Sequence, residues 1–363
     1  LKKILIVVGT RPNFIKVTRF KDVIAHYPGL EVRFVHTGQH FDDKMSQVFF
    51  DQFGLKPDFM LNIGQGTPNA QMAAVMSGLE KVCLDYMPDL LMVVGDVNST
   101  FAAALTGNKM GIKVAHLESG LRSFDRSMPE EINRLLTDEI SDYYFVTEQS
   151  GLDHLKAEGK AADRIFFVGN TMIDSLVAFE EQVKASKVLE TLNVQADEFV
   201  LMTIHRPSNV DSRDGLEVLI RMISDICSHY KVVFPIHPRT VARLKQFGLW
   251  TQLEAMERLV FTEPLDYFSF QKLTATCKFV VTDSGGIQEE TTYRQVPCLT
   301  LRNNTERPST VETGSNVLVP FNPEALAMRV NEIMSGTFKK GQIPPLWDGK
   351  STERIADVLQ KIL

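Results

Sequence analysis

Cysteine is scarce in this 363-residue chain: the four residues Cys83, Cys227, Cys277 and Cys298 form no C-x-x-C pair. That spacing argues against a zinc site. The apolar neighbours of Cys277 and Cys298 point to packing in a reducing compartment rather than to a disulfide frame. Basic clusters are missing too. No block of Lys and Arg exceeds two or three residues and the net charge is −6, which disfavours an extended nucleic-acid face. Any phosphate must then be met by a few local cations. No apolar run approaches membrane-spanning length. Only residues 4–8 separate Lys2 and Lys3 from Gly9, too few for a signal-peptide core. There is no low-complexity tract. The expectation is a soluble cytoplasmic protein.

What is present is a repeated alternation. The 44% hydrophobic and 23% charged content suits a globular protein long enough for two domains. Apolar runs at 4–8, 32–35, 90–94, 113–115 and 143–146 end in Gly, His or other polar residues and alternate with helical patterns. The same grammar restarts after residues 168–171, with runs at 199–204, 232–236, 259–261, 279–281 and 297–301. Right-handed βαβ units and parallel sheets follow. The expected fold class is α/β, two Rossmann-like doubly wound domains facing across a cleft. Residues 1–169 form the first and 170–350 the second, followed by a terminal helix at 351–363. Residues 177–198 read as a charged, helical connection and 337–349 as a second linker. Ligands of such folds sit where strand carboxyl ends meet a change in strand order.

The stretch 278–290 carries the clearest local signal. A short strand delivers Ser284, Gly285 and Gly286 to a helix start, a seat for an anion because unpaired N–H groups and a positive dipole end converge there. It has neither the six-residue dinucleotide fingerprint nor a P-loop lysine. A tight turn with Ser284 as N-cap is the plain alternative. Arg11, after the first strand, is a candidate fork for phosphate, with Lys16 a turn further on. Asp96 and Glu118 each follow a buried strand, and Glu130 follows Pro129 at a helix start. Plain readings exist here as well: Asp96 as an N-cap, Glu130 and Glu131 as complements to a helix dipole. Three carboxylates beside a phosphate would repel it, so a proton-moving role explains them better. His205 closes a strand and can bind diphosphate or carry a proton; His237 has the same placement. Arg307 is a second phosphate candidate, and Glu290 is placed to accept two sugar hydroxyls.

These residues together resemble one family. G-T-R-P at 9–12, G-D at 95–96, H-L-E-S-G-L-R-S at 116–123 and P-E-E-I-N-R at 129–134 are similar to the non-hydrolysing UDP-N-acetylglucosamine 2-epimerases. So are H-R at 205–206, T-D-S-G-G-I-Q-E-E at 282–290 and T-E-R-P at 305–308. The motifs run in order along the chain. The resemblance implies a glycosyltransferase-B-like pair of domains, the terminal helix folding back on the first, and a homodimer. It implies interconversion of UDP-GlcNAc and UDP-ManNAc with no NAD, other cofactor or metal. The family's acids fall on Asp96, Glu118 and Glu130, with His205 beside them. Its UDP site falls on Arg11, Lys16, His205, Phe270, Ser284, Gly285, Gly286, Glu290 and Arg307.

Two departures bear on regulation and specificity. Phe41 stands where many bacterial members have the arginine of a second, activating site. Pro207-Ser208-Asn209 stands where many continue with Arg-Glu, which leaves activation by substrate open. Ser119 replaces the usual alanine. Relatives acting on UDP-2,3-diacetamido uronic acids share H-T-G-Q-H-F-D at 36–42, which leaves the sugar's C3 and C6 substituents open. A hydrolysing relative and a non-catalytic nucleotide-sugar sensor are the other readings.

Overall fold

Residues Lys2–Val8 form β1 of a sheet whose strands all run parallel. The structure is a computed structural model describing residues 1–38, 52–64 and 66–363. Gln39, His40, Phe41 and Asp42 lie outside the described residues. The other strands of this sheet are β2 (Leu30–His36), β3 (Phe59–Met60), β4 (Leu90–Val94), β5 (Lys113–Leu117), β6 (Tyr143–Val146) and β7 (Ile165–Phe167). Their order is β3-β2-β1-β4-β5-β6-β7. From β1 the chain moves one way across the sheet, then returns to start β4 on the other side. That reversal places the loops after β1 and β4 at a switch point. Leu90–Val94 are all buried, because helices cover both faces and remove the polar alternation of a one-sided sheet. On one face Leu5, Val7, Leu91 and Val93 pack with Leu79 and Cys83 of helix Pro68–Tyr86 and Ala103 and Ala104 of helix Asn98–Lys109.

A second parallel sheet comprises β8 (Phe199–Thr203), β9 (Lys231–Pro235), β10 (Leu259–Thr262), β11 (Phe279–Thr282), β12 (Cys298–Leu301) and β13 (Asn316–Val319). The order β10-β9-β8-β11-β12-β13 puts its switch point between β8 and β11. The charged segment at 177–198 does more than connect. It forms helices Glu180–Ala185 and Val188–Thr191, and Val188 and Val194 join the core with Phe199, Leu201 and Val280. Its few apolar residues are spaced too sparsely to announce that contact.

The chain divides into two compact units, Leu1–Ala178 with Pro345–Leu363, and Phe179–Pro344. Helix Thr171–Ala178 stays with the first sheet because Asp174 accepts the N–H groups of Ser351 and Thr352, at 3.0 and 2.6 Å. The same carboxylate thus caps the terminal helix Ser351–Ile362, whose Ile355 and Leu359 are buried. Trp347 adds an indole N–H bond of 2.9 Å to the Thr147 carbonyl. The cysteines are free thiols; Cys83, Cys277 and Cys298 are buried. No helix among the described residues is long and apolar enough to cross a membrane.

Candidate active site

In the first unit the loops after β1, β4 and β5 meet at Gly95. Thr10 Oγ1 donates to Asn13 Oδ1 at 2.8 Å, and Asn13 Nδ2 donates to the Val94 carbonyl at 3.1 Å. These bonds tie the end of β1 to the end of β4. Gly95 has φ +67°, and a Cβ there would stand 2.8 Å from Asn13 Nδ2, 3.5 Å from Glu118 Oε2 and 3.6 Å from Lys16 Nζ. Only glycine fits. Lys16 and Glu118 form an ion pair in this crowded spot. Glu118 Oε1 has no hydrogen-bond partner among the described residues. Its backbone is left-handed, φ +70°, while its N–H donates to the Phe145 carbonyl at 3.1 Å. A non-glycine residue held there is strained.

Asp96 does not cap a helix. The cap of Asn98–Lys109 is Val97, and Asp96 Oδ2 accepts from Arg134 Nε at 2.9 Å instead. The Asp96 carbonyl accepts from Asn133 Nδ2, also at 2.9 Å. Both partners lie on helix Pro129–Ile140, which carries the exposed Glu130 in its first turn. Glu131 is more than a dipole complement. It is buried, accepts from Ser123 N, Ser123 Oγ and Phe124 N at 2.9 Å each, and pairs with Arg134. Arg11 is partly buried on helix Arg11–Ile15, and that burial lowers its guanidinium pKa.

In the second unit Asp283 organises the switch point. Its carboxylate accepts from His205 N at 3.0 Å, Arg206 N at 2.8 Å and Asn209 Nδ2 at 3.0 Å, and lies 3.0 Å from His205 Nδ1. Burial pushes Asp283 up. The His205 imidazole and the donated hydrogen bonds outweigh it, so the carboxyl sits below its ordinary range. The His205 ring is 44% exposed, with its centroid 5.8 Å from that of His237. His237 itself caps helix Pro238–Gln246, accepting from Arg239 N at 3.2 Å.

Ser284 occupies the N-cap position of helix Gly285–Arg294 but makes no side-chain cap bond. A Cβ on Gly285 would lie 2.8 Å from Glu306 Oε1 and 3.2 Å from Arg307 Nη1. Arg307 is buried, with Nε 2.8 Å from Glu289 Oε2 and Nη1 paired with Glu306. Glu306 also accepts from Arg302 at 2.9 Å. Glu290 is buried and its pKa is pushed up to about 7, chiefly by burial, with Glu289 adding repulsion; Gln271 and Arg294 oppose the shift. Phe270, on helix Tyr267–Thr276, packs half-buried against the cluster containing Ile287.

Arg11, Lys16, Asp96, Glu118 and Glu130 thus belong to the first unit; His205, Phe270, Ser284, Gly285, Gly286, Glu290 and Arg307 belong to the second. Asn13, His116, Arg134, Asp138, Asp283, Glu289 and Glu306 were not singled out by the sequence reading. Most lie inside the motifs at 116–123, 129–134, 282–290 and 305–308, where neighbours drew attention instead. Among the described residues no group of three or more His, Cys, Asp or Glu side chains is placed to hold a metal ion.

A family model described as UDP-N-acetylglucosamine 2-epimerase matches residues 22–360. The UDP-N-acetylglucosamine 2-epimerase of Methanocaldococcus jannaschii is 41% identical over 98% of both chains. The UDP-2,3-diacetamido-2,3-dideoxy-D-glucuronate 2-epimerase of Pseudomonas aeruginosa is 36% identical, over 99% of this chain and 100% of that one. The crystal structure of the Methanocaldococcus jannaschii UDP-GlcNAc 2-epimerase in complex with UDP-GlcNAc and UDP matches with a TM-score of 0.91 and 39% identity, covering 99% of each chain. The fold is of the glycosyltransferase-B-like class, two Rossmann-like α/β units in one chain. The chain belongs to the UDP-N-acetylglucosamine 2-epimerase family and is an isomerase of its non-hydrolysing kind.

Proposed function

We propose that the protein interconverts UDP-GlcNAc and UDP-ManNAc by eliminating UDP and adding it back. The observation that carries this reading is the grouping of Lys16, Glu118 and the Gly95–Asp96 turn at a sheet switch point in a chain of this family. The C2 hydrogen of the sugar is not next to a carbonyl, so its direct removal is slow. When the C1–O bond to diphosphate breaks, a base takes the C2 proton and the C1=C2 bond forms. The products are 2-acetamidoglucal and UDP, held together. Return of a proton to the opposite face of C2, with the diphosphate oxygen bonding again to C1, inverts that centre. The two faces need two proton carriers, and Asp96, Glu118 and Glu130, with His205, supply them.

The leaving diphosphate is stabilised by the N–H groups opening helix Gly285–Arg294, beside Ser284, and by Arg11, Lys16, His205 and Arg307. Glu290 takes the ribose hydroxyls, and Phe270 lines the UDP site. The test is incubation with UDP-GlcNAc in heavy water without added cofactor. Deuterium at C2 of both recovered nucleotide sugars is expected. Its absence in protein that binds UDP removes the reading, and net release of UDP with free ManNAc would indicate hydrolysis.

A further inference from the structure

The three acids stand on three different segments of the first unit. Asp96 follows β4, Glu118 follows β5, and Glu130 opens helix Pro129–Ile140. One side chain, acting in part through a histidine, ties all three segments together. Asp138, on that same helix, is completely buried, as is His116. Asp138 Oδ1 lies 2.6 Å from His116 Nδ1, and His116 Nε2 lies 2.8 Å from the Gly95 carbonyl oxygen. Asp138 Oδ2 accepts the Gly120 N–H at 3.0 Å and pairs with Arg122 Nη1 at 2.7 Å. From the helix carrying Glu130, the carboxylate therefore reaches the turn just after Glu118 directly and the residue before Asp96 through His116.

The backbone explains why such a tie is needed. Gly95, Glu118 and Gly120 all lie in the left-handed region, at φ +67°, +70° and +79°. A glutamate does not hold that conformation unaided. Gly120 is fixed from its other side as well, since a Cβ there would fall 2.3 Å from the Gly151 carbonyl oxygen. Arg122 is in turn anchored to Glu158 by two bonds of 2.9 and 2.7 Å.

We propose that Asp138 and His116 are positioning residues for C2 proton transfer, fixing Asp96, Glu118 and Glu130 relative to one another without touching the sugar. The proposal rests on the reading that those acids move the C2 proton. It has a distinctive consequence. In Asp138→Asn, the amide N–H₂ faces His116 Nδ1, while the amide oxygen still accepts from Gly120 and Arg122. With its proton on Nε2, His116 accepts from the amide and still donates to Gly95. Every tie survives and only charge is lost. Asp138→Ala removes the ties outright.

The experiment measures kcat, KM for UDP-GlcNAc, C2 deuterium incorporation and UDP affinity on the full chain. Asp138→Ala is expected to lower kcat about 100-fold, the order of loss when reacting groups are misplaced by an ångström. KM and UDP affinity should stay within about threefold, since uniform binding is untouched. Asp138→Asn should recover kcat to within about fivefold of the unaltered protein. If Asp138→Ala does not fold, Asp138→Asn is compared with Asp138→Asn/His116→Leu, which loses the tie to Gly95 without stranding a charge. The double variant should fall at least about 30-fold in kcat. Equal kcat in that pair, an Asp138→Ala protein of full kcat, or an Asp138→Asn protein as impaired as a folded Asp138→Ala overturns the proposal. Absence of C2 exchange in the unaltered protein would instead overturn the epimerase reading.

Discussion

Lys16 and Glu118 form an ion pair from which water is almost excluded, with side chains 6% and 2% exposed. A buried pair is a poor source of net stability, but removing one partner strands the other charge at a cost of about 3–5 kcal/mol. Lys16→Met should therefore lower the urea-unfolding free energy by about that amount. Lys16→Met/Glu118→Leu should recover most of the loss, because apolar side chains of similar volume can replace such a pair. Epimerisation should stay abolished in both. A Lys16→Met protein as stable as the unaltered one would mean that the charges do not depend on each other.

Glu130 presents the opposite case, since it is exposed in the first turn of its helix. Glu130→Gln should change stability by no more than about 0.5 kcal/mol. If Glu130 carries a proton, kcat should fall by about 10²- to 10⁴-fold while UDP affinity is retained. Asp96→Asn should show the same split, with some loss of stability because its carboxylate is bonded to Arg134. Full turnover in either variant would take that acid out of the mechanism.

The raised pKa of Glu290, about 7 against an ordinary 4.5, gives a signed dependence on pH. Between those values the folded chain keeps a proton that the unfolded chain has released, so this group's contribution to stability falls as pH rises through the window. Ribose hydroxyls donating to Glu290 need the ionised carboxylate. UDP binding should therefore expel a proton near neutral pH and tighten as pH rises from about 6 to about 8. Calorimetry in two buffers of different ionisation enthalpy measures that proton. Glu290→Gln should remove this component and leave the part due to the ligand's own phosphate. An identical proton count in the two proteins would exclude Glu290 as the ribose partner.

The sheets were legible because strands buried on both faces leave unbroken apolar runs, as at 90–94 and 279–281. β3, β7 and β13 were missed: Phe59–Met60 and Ile165–Phe167 are too short to show a period, and only part of Asn316–Val319 is buried. The support of the candidate site was hidden for a different reason. Helix Pro129–Ile140 buries Glu131, Asn133, Arg134, Thr137 and Asp138, a polar face turned inward. Residues 131, 134 and 138 have the three- and four-residue spacing of a core stripe, yet an apolar pattern search passes over them. Arg307 illustrates the same limit. Its motif was conspicuous, but its partner Glu289 could not be read from spacing.

Gly285 tests the anion seat without deleting any charge. The Cβ of Gly285→Ala would press on Glu306 Oε1 from 2.8 Å, and that carboxylate is held in place by both Arg302 and Arg307. The strain is thus transmitted to Arg307, so UDP affinity should fall about 10-fold or more, within the worth of one hydrogen bond to a charged group. Arg307→Lys keeps the charge but loses the planar fork that meets two carboxylates, and should weaken UDP binding by a similar factor. Arg307→Ala should do worse on both counts, because Glu289 and Glu306 lose a buried counter-charge and stability drops by about 3–5 kcal/mol. Titration calorimetry with UDP, alongside thermal unfolding, separates lost affinity from lost fold. A Gly285→Ala protein that binds UDP as tightly as the unaltered chain would move the diphosphate away from this helix start.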